Sequence, residues 1–358
     1  MRFLGNKTRL LDFLLGHVDG LGVEPGVACD PFAGTASVAS ALKALGWRVH
    51  AGDLLASSFA LQVVRVELDR VPRFDLPPED GGEGLPYATV LERLAGLPPR
   101  HGFVTEHYTP AGEAGERHGR MYFTPENARR IDAVRERIEA WSRAGHLDRA
   151  GEQLLLATLI EAADRVANTT GVYCSFVKSW QPNALKDLEL RPLSPVTGPN
   201  GAAGSTAYRG PAGRRLREVG TVDLLYLDPP YNERQYPAYY HLPELLAQGW
   251  WEPPELRGKT GLIPDDDRRS DWCRRARCEE ALEAVLGAAD AGHLLMSYND
   301  EGLIPADRIE AALRAWGDPD SYRCFGRPYR RYRSDGDGPN RTYARDRVRE
   351  RLHYVRAS

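Results

Sequence analysis

The 358-residue chain holds no apolar run near the roughly 18 residues that a membrane-spanning helix needs, which argues against a membrane partner. Near the start, Arg2 and Lys7 flank only a short apolar stretch, Leu10–Leu15, which Asp12 interrupts and no small-residue cleavage site follows. A secretory leader is not expected, and the reading is a cytoplasmic protein. Cysteine is scarce: five residues, an odd number without framework spacing, argue against a disulfide scaffold. Cys273 and Cys278 lie five apart on a stretch that reads as helix, with His293 beyond. A zinc site would want a tighter pair and a fourth ligand, so no metal is expected. The dinucleotide fingerprint G-x-G-x-x-G is missing, which disfavours a pyrophosphate cradle. Internal repeats are missing too. Lysine is rare, five of 47 basic residues, and the net charge is only −3.

The charge that is present is unevenly placed. Residues 321–358 carry eleven arginines against four acids, a net +7 that leaves −10 on the rest. Such asymmetry suggests a polyanion-facing end on an acidic body, the alternative being a solvated, Arg-biased surface. Composition is otherwise that of a globular protein, 42% hydrophobic and 27% charged, and the length predicts about two domains.

The first sixty residues read as an α/β unit. Leu10–Leu15 is a short helix, Gly26–Asp30 a buried strand, and Pro31-Phe32-Ala33-Gly34-Thr35 a turn. Ser37–Leu45 is a helix closed by Gly46 at the position where positive φ is tolerated, and Trp47–Ala51 is a strand stopping at Gly52-Asp53. This is the start of a doubly wound sheet. Residues 66–120 lose periodicity and gather Pro and Gly, as a loop-rich insertion. Helix returns at Thr124-Pro125, an N-cap followed by Pro at the first helical position, and runs through Trp141. Glu152–Val166 is a buried helix, and 194–213 a loop. Strands are expected at Val222–Leu227 and His293–Tyr298, and a helix at Ile304–Trp316. The layout is one α/β domain interrupted by a mainly helical segment.

Two constellations carry chemistry. Asp30 to Thr35 closes the first strand, where open α/β sheets bind ligands, and Gly34 lets backbone approach a bound molecule. An acid there suits a cationic amino group or a hydroxyl. Asp53, ending the next strand, stands where an acid accepts from ribose hydroxyls. Together they favour a nucleoside without a triphosphate. The second constellation is Asp228-Pro229-Pro230-Tyr231, directly after a strand. Two prolines remove two donors and fix a turn whose carbonyls point outward, a carboxylate precedes them, and an aromatic ring follows. Such a turn can accept twice from one amino group while the ring stacks on a flat molecule. His241 and the Tyr239-Tyr240 pair beyond it read as packing.

Phe3-Leu4-Gly5-Asn6-Lys7, Asp30 to Thr35, Gly52-Asp53-Leu54 and Asp228 to Tyr231 together resemble, in order, the motifs of Dam-type (α-class) DNA amino-methyltransferases. The likeness extends more loosely to Ala167–Tyr173, Asn232–Tyr236 and Ser297-Tyr298-Asn299. Two departures stand out: Ala36 where a second Gly is frequent, and Phe3 where Tyr is usual.

The resemblance implies a Rossmann-like methyltransferase sheet with helices on both faces, and S-adenosylmethionine as methyl donor with S-adenosylhomocysteine as product. Phe3, Asn6, Lys7, Asp30, Pro31, Phe32, Gly34, Thr35, Asp53, Leu54 and Asp228 would form the cofactor site. Asp228, Pro229, Pro230 and Tyr231 would receive a base flipped from double-stranded DNA and direct its amine to the methyl group. Arg234 and the interleaved Arg330, Arg331, Tyr332 and Arg333 would contact DNA. The expected division is a catalytic domain of residues 1–65 and 216–358, with 321–358 as its basic DNA-contacting end, and a target-recognition insertion of 66–215. The function implied is site-specific methylation of adenine N6 by a nucleoid-associated monomer, with a cognate restriction endonuclease as a further partner. The rivals are cytosine N4, RNA or a protein glutamine (which favours Asn before Pro-Pro-Tyr), and a DNA-binding relative without catalysis.

Overall fold

A computed structural model describes residues 1–3, 5–199, 203–264, 268–330 and 347–358, the side chains of 329, 330, 347 and 348 excepted. The chain divides into two compact units. One comprises Leu4–Gln62, Val196–Gln235 and Asp267–Ser358, and the other Met1–Phe3, Val63–Pro195 and Tyr236–Asp266.

The first unit is built on a seven-stranded sheet. Its strands are β1 (Val27–Asp30), β2 (Arg48–Asp53), β3 (Thr206–Arg209), β4 (Val222–Leu227), β5 (Ala291–Asn299), β6 (Arg323–Arg330) and β7 (Arg347–Arg356), in the order β3-β2-β1-β4-β5-β7-β6. The first five are parallel, and β7 runs antiparallel to both β5 and β6. The central strands are apolar because a parallel sheet is covered on both faces. Cys29, Leu225, Leu227, Leu294 and Met296 pack with Leu282, Val285 and Leu286 of the helix Cys278–Gly287 and with Ile309 and Leu313 of the helix Ala306–Trp316. Val38, Ala39 and Leu42 are the buried side of the helix Ser37–Ala44, which packs on β1 and β2. The Rossmann-like methyltransferase architecture is present.

The second unit is helical. Pro125–Arg143 is capped by the Thr124 hydroxyl, which accepts from Asn127 N, and Arg149–Val166 by Asp148, which accepts from Gly151 N at 2.7 Å. Buried Asp132 accepts from the backbone N–H groups of Gly102, Val104 and Thr105 and from the Thr105 hydroxyl, which anchors the short helix Phe103–Tyr108. The Asn168 side chain donates to the carbonyls of Met121 and Val177 and accepts from Gln181 N, so part of the Ala167–Tyr173 stretch is a structural fastening. Among the described residues no helix is long and apolar enough to cross a membrane.

The elements differ from expectation in several places. The first helix is longer, Leu11–Gly20. The segment 66–120 contains the short helices Tyr87–Ala95, Phe103–Tyr108 and Glu113–Arg117, whose bounding Pro and Gly conceal them from a periodicity reading. β3 sits inside 194–213, expected as loop, and places residues from 196 onward with the sheet. Residues 236–266 group with the helices instead of the sheet. The basic end, read only as a charged segment, supplies β6 and β7.

Candidate active site

Three carboxylates stand at the carboxyl ends of three adjacent parallel strands: Asp53 ends β2, Asp30 ends β1, and Asp228 follows β4. Strand order reverses between β1 and β4, and at such a switch point the loops diverge and leave a crevice. The loop after β1 is held from several sides. Ala33 N donates to Gly52 O at 2.9 Å, Gly34 N to Asp53 Oδ2 at 3.0 Å, and Gln62 Nε2 to Gly34 O at 2.9 Å. The other Asp53 oxygen accepts from Leu55 N at 2.9 Å. Each carboxylate oxygen has a second lone-pair direction, so Asp53 can anchor the loop and still accept from a ligand hydroxyl. Asn6 Nδ2 reaches the Thr35 hydroxyl at 3.2 Å, and Phe32 meets the edge of Trp272 with ring centres 5.3 Å apart.

Gly34 has φ +50°, and Ala36 has φ +62°, the sole non-glycine residue in the left-handed region among those described. Ala36 is fully buried at the entry of the helix Ser37–Ala44. A second Gly is frequent at this position of the resembling motif because the backbone there is left-handed.

Lys7 is the electrostatic centre. Its side chain is buried, and Nζ lies 3.0 Å from Asp228 Oδ1 and 2.6 Å from Glu350 Oε1. Burial alone would pull the ammonium pKa down. The two carboxylates outweigh it and hold the pKa well above the ordinary lysine value. Asp228 is pushed up to about 7, by burial first and by the charge of Glu350, with Lys7 acting against both. Asp30 is also raised well above the usual carboxylate range, by burial and then by Asp228. Buried carboxyls thus crowd a single ammonium and resist ionising together, and a ligand that brings a positive amino group and donating ribose hydroxyls would relieve that crowding.

The Asp228–Tyr231 turn leaves the backbone where Pro cannot donate, and among the described residues the Pro229 carbonyl accepts no hydrogen bond. Tyr231 is half-buried, and its carbonyl accepts from Leu303 N at 3.0 Å. Arg234 is exposed, three residues on.

The sheet unit thus brings together Asn6, Lys7, Asp30 to Thr35, Asp53, Leu54 and Asp228 to Tyr231. Phe3 belongs to the helical unit, where its ring stacks on Tyr240 at 4.5 Å and meets Tyr236 at 5.7 Å. Arg331, Tyr332 and Arg333 lie outside the described residues, as does the side chain of Arg330. Sequence reasoning missed Glu350 and Gln62. Gln62 closes the short helix Ala56–Gln62 and carries no motif. Ser297, part of the looser likeness, donates to Glu350 Oε1 at 2.6 Å. Cys273 and Cys278 are both buried, and among the described residues no group of three or more His, Cys, Asp or Glu side chains is placed to hold a metal ion.

The family described as D12 class N6 adenine-specific DNA methyltransferase matches residues 3–277. The chain is 34% identical to the Type II methyltransferase M.NlaIII of Neisseria lactamica, over 99% of both proteins. It is 35% identical to the Type II methyltransferase M.FokI of Planomicrobium okeanokoites, over 93% of this chain and 50% of that protein. It is 31% identical to the modification methylase LlaI of Lactococcus lactis subsp. lactis, over 93% of this chain and 51% of the relative. The chain spans nearly all of the first relative and about half of the other two. A strand order with a reversed seventh strand, a carboxylate before Pro-Pro-Tyr and this match over most of the chain lead to one conclusion: the chain belongs to the D12 class of N6 adenine-specific DNA methyltransferases.

Proposed function

We propose that Asp228, Pro229 and Tyr231 form the catalytic site, that the loop Asp30–Thr35 with Asn6, Lys7, Asp53 and Leu54 holds S-adenosylmethionine, and that the substrate is an adenine flipped from duplex DNA. The observation that carries this reading is the Asp228 turn, ion-paired to buried Lys7 at the switch point of the sheet. When bound, S-adenosylmethionine supplies an electrophilic methyl group on a sulfonium centre. Asp228 Oδ and the Pro229 carbonyl accept from the two hydrogens of the exocyclic amine. Those bonds draw the nitrogen lone pair out of ring conjugation and orient it for in-line attack. The Tyr231 ring stacks on the extruded base and offsets part of the few kcal/mol that flipping costs. Asp53 would accept from the ribose hydroxyls of the cofactor, and Asp30 would help hold its amino-acid end.

The family is specific for adenine N6, so cytosine N4 and a silent DNA-binding relative are not favoured. On the names of the relatives, the DNA methylation would accompany a cognate restriction endonuclease. The helical unit would read the target sequence, and Arg234 and the arginines around 330 would contact phosphates. Digesting DNA treated with enzyme and cofactor, and identifying the nucleosides by mass spectrometry, tests the reading. N6-methyladenosine in its deoxy form is expected, and N4-methylcytosine as the sole product overturns it.

A further inference from the structure

Glu350 lies 343 residues from Lys7 in sequence and outside the stretch matched by the family. β7 runs antiparallel to β5 and pairs Glu350 with Asn299, which delivers the side chain to the same sheet edge as the β1 and β4 loops. It is 1% exposed, although Arg349 and Arg351 flank it in the chain. Its Oε1 accepts from Lys7 Nζ and from the Ser297 hydroxyl, both at 2.6 Å, and its Oε2 has no hydrogen-bond partner among the described residues. A buried carboxylate with one oxygen unsatisfied is expensive to keep, so a fold gains little stability from it. Its position points to a different use. Lys7 bridges Glu350 and Asp228, and a lysine stem is flexible enough that one carboxylate would leave the ammonium free to swing.

We propose that Glu350 is a positioning residue: it fixes the Lys7 ammonium beside Asp228, and its charge competes with Asp228 for that ammonium, so that Lys7 neutralises Asp228 only in part. The proposal rests on the functional reading of Asp228 above. A carboxylate fully committed to Lys7 would be a poorer acceptor for the target amine, and a shared ammonium leaves it the stronger one. The charged and titratable groups facing Asp228 are Lys7 from the N-terminal segment, Asp30 from β1, Tyr226 from β4, Tyr231 from its own turn and Glu350 from β7. Glu350 is the carboxylate among them that is not itself assigned to the cofactor or the target base, and it acts on Asp228 through Lys7.

The test is the pH dependence of kcat/KM for methyl transfer in wild type, Glu350→Gln, Lys7→Gln and the double variant, with thermal melts of each. Glu350→Gln should move the acidic limb down by about half to one pH unit, and Lys7→Gln should move it up by one unit or more. The double variant, which removes one charge of each sign and is the safest to fold, should return the limb to within about half a unit of wild type. A merely structural Glu350 predicts a lower rate at every pH with an unmoved limb, and a double variant whose limb stays with Lys7→Gln; either result overturns the proposal. Calorimetric binding of S-adenosylmethionine across the same pH range provides a readout apart from turnover. A wild type that makes no N6-methylated product would sink the functional reading, and the binding titrations would still decide whether Glu350 sets the charge of the pair.

Discussion

At the residue scale, Asp228 and Asp53 look alike in sequence and differ in surroundings. Asp228 is tied to a cation and faces a turn with an unused carbonyl acceptor, whereas Asp53 accepts from two backbone N–H groups and holds a loop. Asp228→Ala should therefore abolish transfer while leaving S-adenosylmethionine affinity within about tenfold, since its assigned bond to the target amine belongs to the transition state and Glu350 keeps Lys7 paired. Asp53→Ala should weaken the cofactor by roughly ten- to a hundredfold, the effect of a charged hydrogen bond of about 1.5–3 kcal/mol together with a loosened loop. Calorimetry on both variants separates them, and equal losses of affinity would contradict the assignment. The pKa of about 7 at Asp228 adds a sign. The acceptor role needs the carboxylate, so kcat/KM should climb about tenfold per unit below pH 7 and level off above it. Stability runs the other way. A carboxyl raised above its unfolded value of about 3.9 keeps its proton in the native state, so its contribution is full below that value and is lost as pH rises through about 7. A rate that falls as pH rises from 6 to 8 would exclude ionised Asp228 as the acceptor.

At the element scale, the turn between β1 and the helix Ser37–Ala44 carries a measurable strain. Ala36 at φ +62° costs about 1–2 kcal/mol relative to a right-handed residue, and glycine would remove that at a backbone-entropy cost of roughly 0.5–1 kcal/mol. Ala36→Gly should thus leave stability within about 1 kcal/mol of wild type. Ala36→Val, β-branched in a left-handed and fully buried site, should lower it by several kcal/mol. Thermal melts compare the two, and equal losses would show that the turn is not the constraint. The same scale shows what sequence could reveal. β4 coincides with the apolar run Val222–Leu227, the helix after Thr124 is legible from its cap, and the helix ending at Val166 from its broad apolar face, though its start at Arg149 and its Asp148 cap are not. β3 is not, because four residues between Gly- and Ser-rich flanks carry too little pattern for a sheet edge. β7 hides for another reason: Arg349-Glu350-Arg351 reads as solvated charge, and only pairing with β5 buries its middle residue. Half of the ion-pair network at the candidate site is accordingly invisible in the sequence, while Asp228 and Lys7, which sit in motifs, are not.

At the scale of the whole molecule, the arginine excess at 321–358 has two physical explanations. β6 is an edge strand, and Arg323 and Arg327, both exposed, would discourage another chain from pairing there. The same arginines, with exposed Arg349 on β7, also form a positive surface on a chain of net charge −3, as phosphate contact would require. Salt dependence separates the explanations. Replacing Arg323, Arg327 and Arg349 with Ala should weaken binding to cognate and unrelated duplexes alike, because phosphate contacts carry no sequence information. It should also flatten the slope of log K against log salt by about 0.9 for each phosphate that is no longer neutralised, up to roughly 2.7 for three. Edge protection alone predicts unchanged affinity and slope, with increased association of the variant in light scattering. Loss of preference for the cognate site with the slope intact would instead assign these arginines to base reading, and the phosphate role would be withdrawn.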